Sequence, residues 1–318
     1  MLKYILKRLL LMIPTIFIIM TIVFILLRVV AGSPAHSLLA EQGIDVTQKN
    51  VEALEEELGL NDPIIVQYGR YMKGVFTGDW GTSYYNNQPT FKNIVDVMEP
   101  TLMFGLASFL IYVIVAIPVG VYCAVHRNSV LDYTMTFSSM VFMVIPSFCL
   151  ALLGIYFFGF KLKWFPVVGY TSIEKGGFKE AFMHVLLPAI TCGLGGIAGL
   201  ARHTRSTMLD VLNQDYIRTA KAKGLSPNMI YYKHALKNTI SVTGSMVIGS
   251  FIGAVGGSSI IEKVFNIRGM GRLALESLTR RDYPQEMAIV LFTAFIGLAT
   301  NLINDIVFKL IDPRIEYE

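Results

Sequence analysis

Long apolar runs recur along the chain and alternate with polar segments. The first run, residues 9–27, is uncharged and follows the basic residues Lys3, Lys7 and Arg8. A helix rises about 1.5 Å per residue, so this run is long enough to cross the roughly 30 Å of hydrocarbon in a bilayer. Further runs predict spans at residues 101–125, 134–160, 186–201, 240–261 and 287–311. The pattern predicts an all-α integral membrane protein with six transmembrane helices, the third kinked at Pro146.

A cleaved secretory signal is the alternative interpretation of the first run. The apolar part of such a signal is usually shorter, and Pro34 stands directly after the small residues Ala31, Gly32 and Ser33, where cleavage would fall. We therefore expect a retained span that starts in the cytoplasm and ends near Arg28, whose aliphatic stem can snorkel to the outer surface.

The polar and acidic segment 31–98 contains three short apolar stripes. They are Val51, Leu54 and Leu58, ended by Gly59; Tyr68, Tyr71 and Val75, in a helix that starts near Pro63; and Phe91, Ile94, Val95 and Met98, stopped by Pro100. Apolar residues at this spacing share one face of a helix. Because loops that only connect are seldom this long, we expect an extracytoplasmic helical cap on the outer membrane surface.

Charge placement predicts the orientation of the chain. The segment 202–239 carries Arg202, Arg205, Arg218, Lys221, Lys223, Lys233 and Lys237 against only Asp210 and Asp215. Basic loops stay on the cytoplasmic side of a membrane. Counting spans from a cytoplasmic N-terminus puts this segment on the same side, so both termini are predicted to be cytoplasmic.

Within that basic segment, residues 215–238 predict two short helices with an abrupt bend. Ile217, Ala220 and Gly224 share one face of the first helix at positions i, i+3 and i+7. Gly224 can end that helix in a left-handed conformation, and Ser226-Pro227 offers an N-cap and a first-turn proline for the second. A face of small and apolar residues can let another protein approach closely. An ordinary cytoplasmic loop is the alternative.

The same stretch resembles the coupling loop of bacterial ABC importer permeases of the oligopeptide, dipeptide and nickel family. The resemblance is carried by Arg218-Thr219-Ala220, then Gly224, then HALKN at 234–238. The wider importer motif reads Glu-Ala-Ala, three residues, Gly, and Arg218 and Thr219 replace its first two residues, as in the peptide branch. LGLNDPIIVQY, GDWGTSYYNNQP, EKVFNIRGMGRL and the DPRI ending also resemble the family, which usually has proline where Arg268 stands.

This resemblance implies a type I ABC importer permease whose coupling loop docks on a separate ATP-hydrolysing subunit. The coupling residues that it implies are Tyr216, Ile217, Arg218, Thr219, Ala220, Lys221, Ala222, Lys223, Gly224 and Leu225. The implied partners are a second homologous permease, two cytoplasmic ATPase subunits, an extracytoplasmic substrate-binding protein, peptide cargo and membrane lipid. The implied function is import of oligopeptides or dipeptides across a bacterial inner (plasma) membrane by alternating access.

Small and polar residues within the later spans are candidates for the pore or for helix contacts. Ser245, Gly249, Gly253 and Gly257 recur every fourth residue and predict a stripe along one helix face. Asn301, Asn304 and Asp305 place polar groups in the last span, where such groups tend to face the bundle interior. Both sets have a structural alternative, which is packing between helices for the stripe and a hydrogen bond to another helix for the polar groups.

Composition agrees with a membrane protein and excludes several chemistries. The chain is 53% hydrophobic and 16% charged, whereas an average soluble domain is about 25% charged. It has no phosphate-binding G-x-x-x-x-G-K-[ST] loop, and Cys123, Cys149 and Cys192 stand singly in apolar runs. We therefore expect no enzyme activity, cofactor, resident metal or nucleic-acid partner.

Three alternatives for function remain at this stage. Nickel or a metal–chelator complex is carried by some members of the family that the chain resembles. The five histidines lie at or beyond the span ends, which favours peptide cargo over a bare metal ion. A stand-alone secondary transporter would need more ionisable groups within the spans than Asp305, and a membrane scaffold or receptor would not need the basic coupling-like loop.

The predicted organisation has three parts. Residues 1–30 hold the cytoplasmic N-terminus and the first helix, and residues 31–100 form the cap. Residues 101–318 form a five-helix permease core that includes the coupling loop 202–239.

Overall fold

Helices form the regular structure of residues 2–30 and 32–311, which the computed structural model describes, apart from one isolated antiparallel bridge between Thr82 and Pro89. The DPRI ending lies outside these residues. Four of the described helices are long and apolar enough to cross a membrane. They are α1 (Leu2–Val30), α6 (Met98–Val125), α9 (Ile173–Leu212, broken at Gly177) and α14 (Tyr283–Ile311). They contain the predicted first, second, fourth and sixth spans.

The predicted third span is broken rather than kinked. Helix α7 (Val130–Val144) ends before Ile145, and α8 (Ser147–Gly154) starts after Pro146 and continues as a π-helical stretch, Ile155–Lys161. The two arms meet at 103°. Proline disfavours the helical conformation of the residue before it, and Ile145 is accordingly extended, with ψ 125°. The pair forms either one broken span or a re-entrant loop.

The predicted fourth and fifth spans have different bounds from those expected. Helix α9 continues to Leu212, so the first part of the basic segment is helical rather than loop. After α10 (Asp215–Ala222) and a π-helical stretch (Met229–Ala235), α11 (Leu236–Gly256) covers most of the fifth span. It stops at Gly257, whose φ is 74°, and α12 (Ser259–Val264) is a separate helix. The prediction of one helix over 240–261 is wrong at its end, and the count of six spans stays a prediction.

The predicted cap region contains four helices. They are α2 (Ala35–Glu41), α3 (Gln48–Glu57), α4 (Ile64–Thr77) and α5 (Thr90–Asp96). Gly59 follows α3 with φ +64°, and α4 starts after Pro63, as the sequence predicts. Pro100 does not end the third stripe, because the break falls at Val97 and α6 begins at Met98. Proline fits the first turn of a helix, where no backbone donor is required.

The chain forms two compact units with separate cores. The first consists of residues 1–99 and 269–299, and the second of residues 100–268 and 300–318. In the first unit, Tyr68, Tyr71 and Val75 pack on a cluster that contains Phe24 of α1 and Tyr283 of α14. Residues 269–299, which include α13 (Met270–Arg280), thus group with α1 and the predicted cap rather than with the core segment to which the sequence assigned them.

A buried carboxylate ties the GDWGTSYY segment to the turn before α14. Asp282 accepts hydrogen bonds from Ser83 Oγ at 2.5 Å and from the Tyr84 N–H at 3.2 Å. Burial raises the pKa of Asp282 above its usual range, although these donors oppose the shift. The sequence offers no periodicity that predicts this contact between residues about 200 positions apart.

Candidate functional site

The basic segment folds locally as the sequence predicts. Helix α10 ends at Ala222, and Gly224 takes the left-handed conformation with φ +75°. The Ser226 hydroxyl accepts from the N–H of Met229 at 3.4 Å, and Pro227 occupies the first position of the following helical stretch. The predicted glycine cap and serine N-cap are therefore confirmed, and they set the bend between the two short helices.

Two of the three residues of the predicted docking face, Ile217 and Ala220, point inward, whereas the third, Gly224, lies beyond the end of α10 and is exposed. Ile217 and Ala220 are buried in a cluster with Val121, Ala124 and Met208 of the same unit. In a helix with basic residues on its other side, the apolar stripe is the side that gains from leaving water. Another protein therefore cannot approach through Ile217 and Ala220.

The opposite face of α10 is exposed and basic. The exposed residues among those that the resemblance assigns to coupling are Tyr216, Arg218, Thr219, Lys221, Ala222, Lys223 and Gly224, whereas Leu225 is half-buried. Arg218 pairs with Asp215 at 3.2 Å, but both side chains are largely in solvent, at 74% and 95% exposure. Such a pair contributes little to stability. The Tyr216 side chain is positioned by a hydrogen bond, in which its hydroxyl accepts from Asn238 Nδ2 at 2.8 Å.

An ion pair that the sequence analysis did not identify anchors this end of the second unit. Arg205 Nε lies 2.5 Å from Asp132 Oδ1, and Arg205 Nη2 lies 2.7 Å from Asp132 Oδ2. Asp132 also accepts from the Asn128 N–H at 3.0 Å, and its side chain is only 3% exposed. The pattern Ser129-x-x-Asp132, a helix N-terminal signature, was the available signal. The pair joins α9, which leads into α10, to the start of α7.

The small-residue stripe of α11 is shorter than predicted and is open. Ser245, Gly249 and Gly253 lie on the helix and are exposed, and within the described part of the chain a Cβ placed on Gly249 or Gly253 meets no atom within 4 Å. Gly257 lies beyond the helix end, so the four residues do not form one continuous face. The stripe therefore leaves a surface of this chain available for a partner or for cargo.

A cavity of about 310 Å³ adjoins one end of that stripe. Residues from α6, α9 and α11 line it, including Ser108, Tyr112, Gly196, Ser250 and Gly253. The Tyr112 and Ser250 side chains interact there, and the buried Ser108 Oγ has no hydrogen-bond partner within residues 2–30 and 32–311. Gly257 also lines the cavity, whereas Ser245 and Gly249 do not. The site is mostly apolar with a few polar atoms, as small-molecule sites usually are.

The polar residues of α14 do not join this cavity. Asn301 is exposed, and Asn304 and Asp305 are half-buried. Asn304 Oδ1 is buried without a partner in the described part of the chain, whereas Asp305 has an interaction. These three residues therefore do not line the cavity that Gly253 and Gly257 line. Over residues 2–30 and 32–311, no group of three or more His, Cys, Asp or Glu side chains is placed to hold a metal ion.

Comparison with known proteins decides the family. Residues 116–317 match the model for "Binding-protein-dependent transport system inner membrane component", and residues 1–105 match the corresponding N-terminal model, "Binding-prot-dependent transport system membrane comp, N-term". The chain belongs to this family. It is a membrane permease of the ABC importer kind, and the resemblance stated from the coupling-loop residues is confirmed.

Individual relatives extend over the whole chain. The oligopeptide transport system permease protein AppB of Bacillus subtilis is 37% identical over 323 residues, and the match covers 100% of both chains. The dipeptide transport system permease protein DppB of Alkalihalophilus pseudofirmus is 36% identical over 337 residues, again covering 100% of both. A solved structure of the MetNI methionine ABC transporter matches with a TM-score of 0.55 at 17% identity, over 70% of this chain and 98% of that one. That match supports the fold class alone.

Proposed function

We propose that this permease forms one half of the translocation path of an ATP-driven importer of oligopeptides or dipeptides. The observation that carries the proposal is the full-length similarity to permeases of oligopeptide and dipeptide systems. In this proposal a second homologous permease completes the path, two ATPase subunits supply the driving force, and an extracytoplasmic binding protein delivers the cargo.

The cavity beside α11 suits a peptide as the passing cargo. A peptide requires a roomy path and a few polar contacts, because the binding protein can do most of the selection. Ser108, Tyr112 and Ser250 offer such contacts. Gly253 has no side chain and therefore leaves space at its position in the cavity wall. The exposed stripe at Ser245 and Gly249 continues this surface, either toward the path or toward the second permease.

Coupling to the ATPase subunits is assigned to the exposed face of α10. Arg218, Lys221 and Lys223 give this face positive charge, and Tyr216 adds an aromatic side chain held by Asn238. Because Ile217 and Ala220 anchor the helix to Val121 and Met208, a push on the exposed face is transmitted to α6 and α9. In this proposal the buried residues fix α10 to the rest of the unit, and the basic residues contact the ATPase subunit.

The orientation belongs to the same proposal. We place both termini and segment 202–239 in the cytoplasm of a bacterial cell and residues 31–98 outside. Single cysteines at Gln48 and Asn228, in a background without Cys123, Cys149 and Cys192, should label oppositely with an impermeant thiol reagent on intact cells. Equal labelling of both positions from outside would contradict this orientation.

The cargo assignment is tested by uptake into proteoliposomes. The complete importer, reconstituted with its binding protein, is given labelled short peptides, free nickel ion or chelated nickel, each with and without ATP. We expect ATP-dependent accumulation of peptides and none of free nickel. Uptake of nickel alone, with no transport of any peptide length, would favour the metal-carrying alternative. Uptake that follows an ion gradient without ATP would favour a secondary transporter.

A further inference from the structure

A second cavity, apart from the candidate sites above, lies wholly within the first unit. Its volume is about 270 Å³. The outer end of α1, helix α4, residues 79–84 and the start of α14 form its walls, and Phe24, Leu27 and Met287 make much of them apolar. None of the residues assigned to coupling or to the substrate path lines it.

Arg28 supplies a positive charge to this cavity without a matching carboxylate. Its guanidinium carbon lies 4.8 Å from the centre of the Tyr283 ring and 5.6 Å from that of Phe24. Among the described residues, its electrostatic neighbours are the hydroxyls of Tyr84 and Tyr283 rather than an acid. The other arginine of the cavity wall, Arg70, is already paired with Asp62 at 2.6 Å. The Arg28 guanidinium already interacts with the Tyr84 hydroxyl, and because a guanidinium has five N–H donors, others are left for an anion.

Three buried polar atoms of residues that line this cavity have no hydrogen-bond partner within residues 2–30 and 32–311. They are Tyr71 Oη, Tyr283 Oη and Gln67 Oε1. Tyr283 is only 4% exposed. The Gln67 amide is held in place, since its Nε2 donates to Leu60 O at 2.8 Å and to Asp62 O at 2.7 Å. Buried polar groups are nearly always hydrogen-bonded, so three such atoms on residues of one cavity require a bound polar group or water there.

The set of donors and acceptors describes that group. Two phenolic hydroxyls and a guanidinium can donate to the oxygens of an anion, and the Gln67 oxygen accepts from a hydroxyl or amine beside it. The Asp79 carboxylate at the rim is exposed and accepts from the Gly81 N–H, and the groups that act on the Arg28 charge are Tyr84 and Tyr283 rather than Asp79. The expected chemistry is therefore a phosphate or carboxylate that carries a neighbouring hydroxyl or amine.

The position of Arg28 selects a lipid as the source of the anion. Arg28 stands at the end of an apolar span, and the adjoining surface of α1 presents Ile25, Leu26 and Val29 as exposed side chains. An acyl chain can lie along that surface while the headgroup turns into the cavity. We propose that this cavity binds the headgroup of an anionic phospholipid such as phosphatidylglycerol, with its phosphate on Arg28 and its glycerol hydroxyl on Gln67.

The test measures lipid bound to the complete importer. The complex is purified in mild detergent, stripped of lipid, and titrated with phosphatidylglycerol, phosphatidylcholine or glycerol 3-phosphate, and bound molecules are counted by native mass spectrometry. Arg28→Gln should lower the affinity for one phosphatidylglycerol at least about tenfold, the scale of a lost charge-assisted hydrogen bond. Tyr71→Phe, which removes only an unsatisfied hydroxyl, should lower it about threefold without lowering the thermal stability of the stripped complex.

Arg280→Gln provides the matched control. Arg280 also stacks on a tyrosine, Tyr85 at 5.2 Å, but it is exposed and paired with Glu41. This variant should bind phosphatidylglycerol like the wild type. Equal binding by wild type and Arg28→Gln would overturn the proposal. So would a cavity that holds only water in a high-resolution map of the lipid-loaded complex, a preference for phosphatidylcholine, or binding of glycerol 3-phosphate without any lipid.

Discussion

Helix α10 and helix α11 each carry a face of small residues, and the two faces end in opposite environments. In α10, Ile217 and Ala220 are buried against Val121 and Met208. In α11, Ser245 and Gly249 are exposed, and no atom of the described residues lies within 4 Å of a Cβ placed on the glycine. Residue size alone therefore does not tell whether a face is an internal seam or an open surface.

The difference follows from what occupies the rest of each helix. Arginine and lysine cover the other side of α10, so only one orientation buries its apolar side chains and leaves its charges in water. Helix α11 carries no charged residue after Lys237, and in a lipid environment burial of its small-residue face gains little from the hydrophobic effect. The orientation of the α10 face is therefore set by solvation. The α11 face can be covered only by a surface of complementary shape.

A charge on the buried face of α10 should reduce stability and transport more than the other substitutions below. Ile217→Asp would place a carboxylate among apolar side chains with no partner, at a cost of about 4 kcal/mol or more. We expect the purified importer to lose much of its heat resistance and its transport. Ala222→Asp, on the exposed face of the same helix, is the control and should leave heat resistance unchanged. Equal tolerance of both variants would mean that the inward packing of α10 is wrong.

Loss of the Arg205–Asp132 ion pair should have the second-largest effect on stability. Asp132→Asn removes the charge partner of Arg205, whose side chain is 24% exposed, and should destabilise the protein by about 3 kcal/mol. Arg218→Gln breaks the exposed pair with Asp215 and should have no measurable effect on stability. Stability is compared by the fraction of folded complex that survives heating. If both variants behave alike, the Arg205–Asp132 pair does not anchor this region.

Bulk on the open face of α11 should impair function rather than folding. A Cβ at Gly249 meets no atom of the described residues within 4 Å, so for Gly249→Leu we expect normal insertion and heat resistance but much weaker transport or weaker assembly with the second permease. Gly120→Leu is the matched contrast, because a Cβ at Gly120 already lies 2.5 Å from Ala201 O. That variant should be destabilised by about 2 kcal/mol or more. A fully active Gly249→Leu importer would show that the stripe contacts neither partner nor cargo.

The smallest effect should come from the turn after α10. Gly224 has φ +75°, and a Cβ there meets no atom within 4 Å, so Gly224→Leu adds backbone strain on the order of 1 kcal/mol without a clash inside the chain. We expect the variant to insert but to lose cargo-stimulated ATP hydrolysis if the bulky side chain obstructs an ATPase subunit. Gly224→Asn, which tolerates this conformation better, should retain more activity. Unchanged ATP hydrolysis in the leucine variant would remove this turn from the coupling contact.

Local signals in the sequence were reliable where backbone chemistry decides the outcome. The glycine cap at 224, the serine cap at 226 and the start of α4 after Pro63 were predicted correctly, since each depends on a few neighbouring residues. The predictions were wrong where the effect of a residue depends on the helices on either side of it. Pro100 lies in the first turn of α6 instead of ending the preceding helix, and Pro146 produces a sharp break instead of a kink, because the residues on either side set where each helix begins.

The sequence by itself determined the class of the protein, since long apolar runs and basic segments leave few alternatives to a membrane permease, and its coupling-loop residues identified the family. Only the tertiary structure decided which face of α10 packs inward, that Arg205 pairs with Asp132, and that Arg28 and three unsatisfied polar atoms surround one cavity. These features join residues that are distant in the chain. Periodicity reports which side chains share a helix face, but the surface that meets that face depends on how the helices pack.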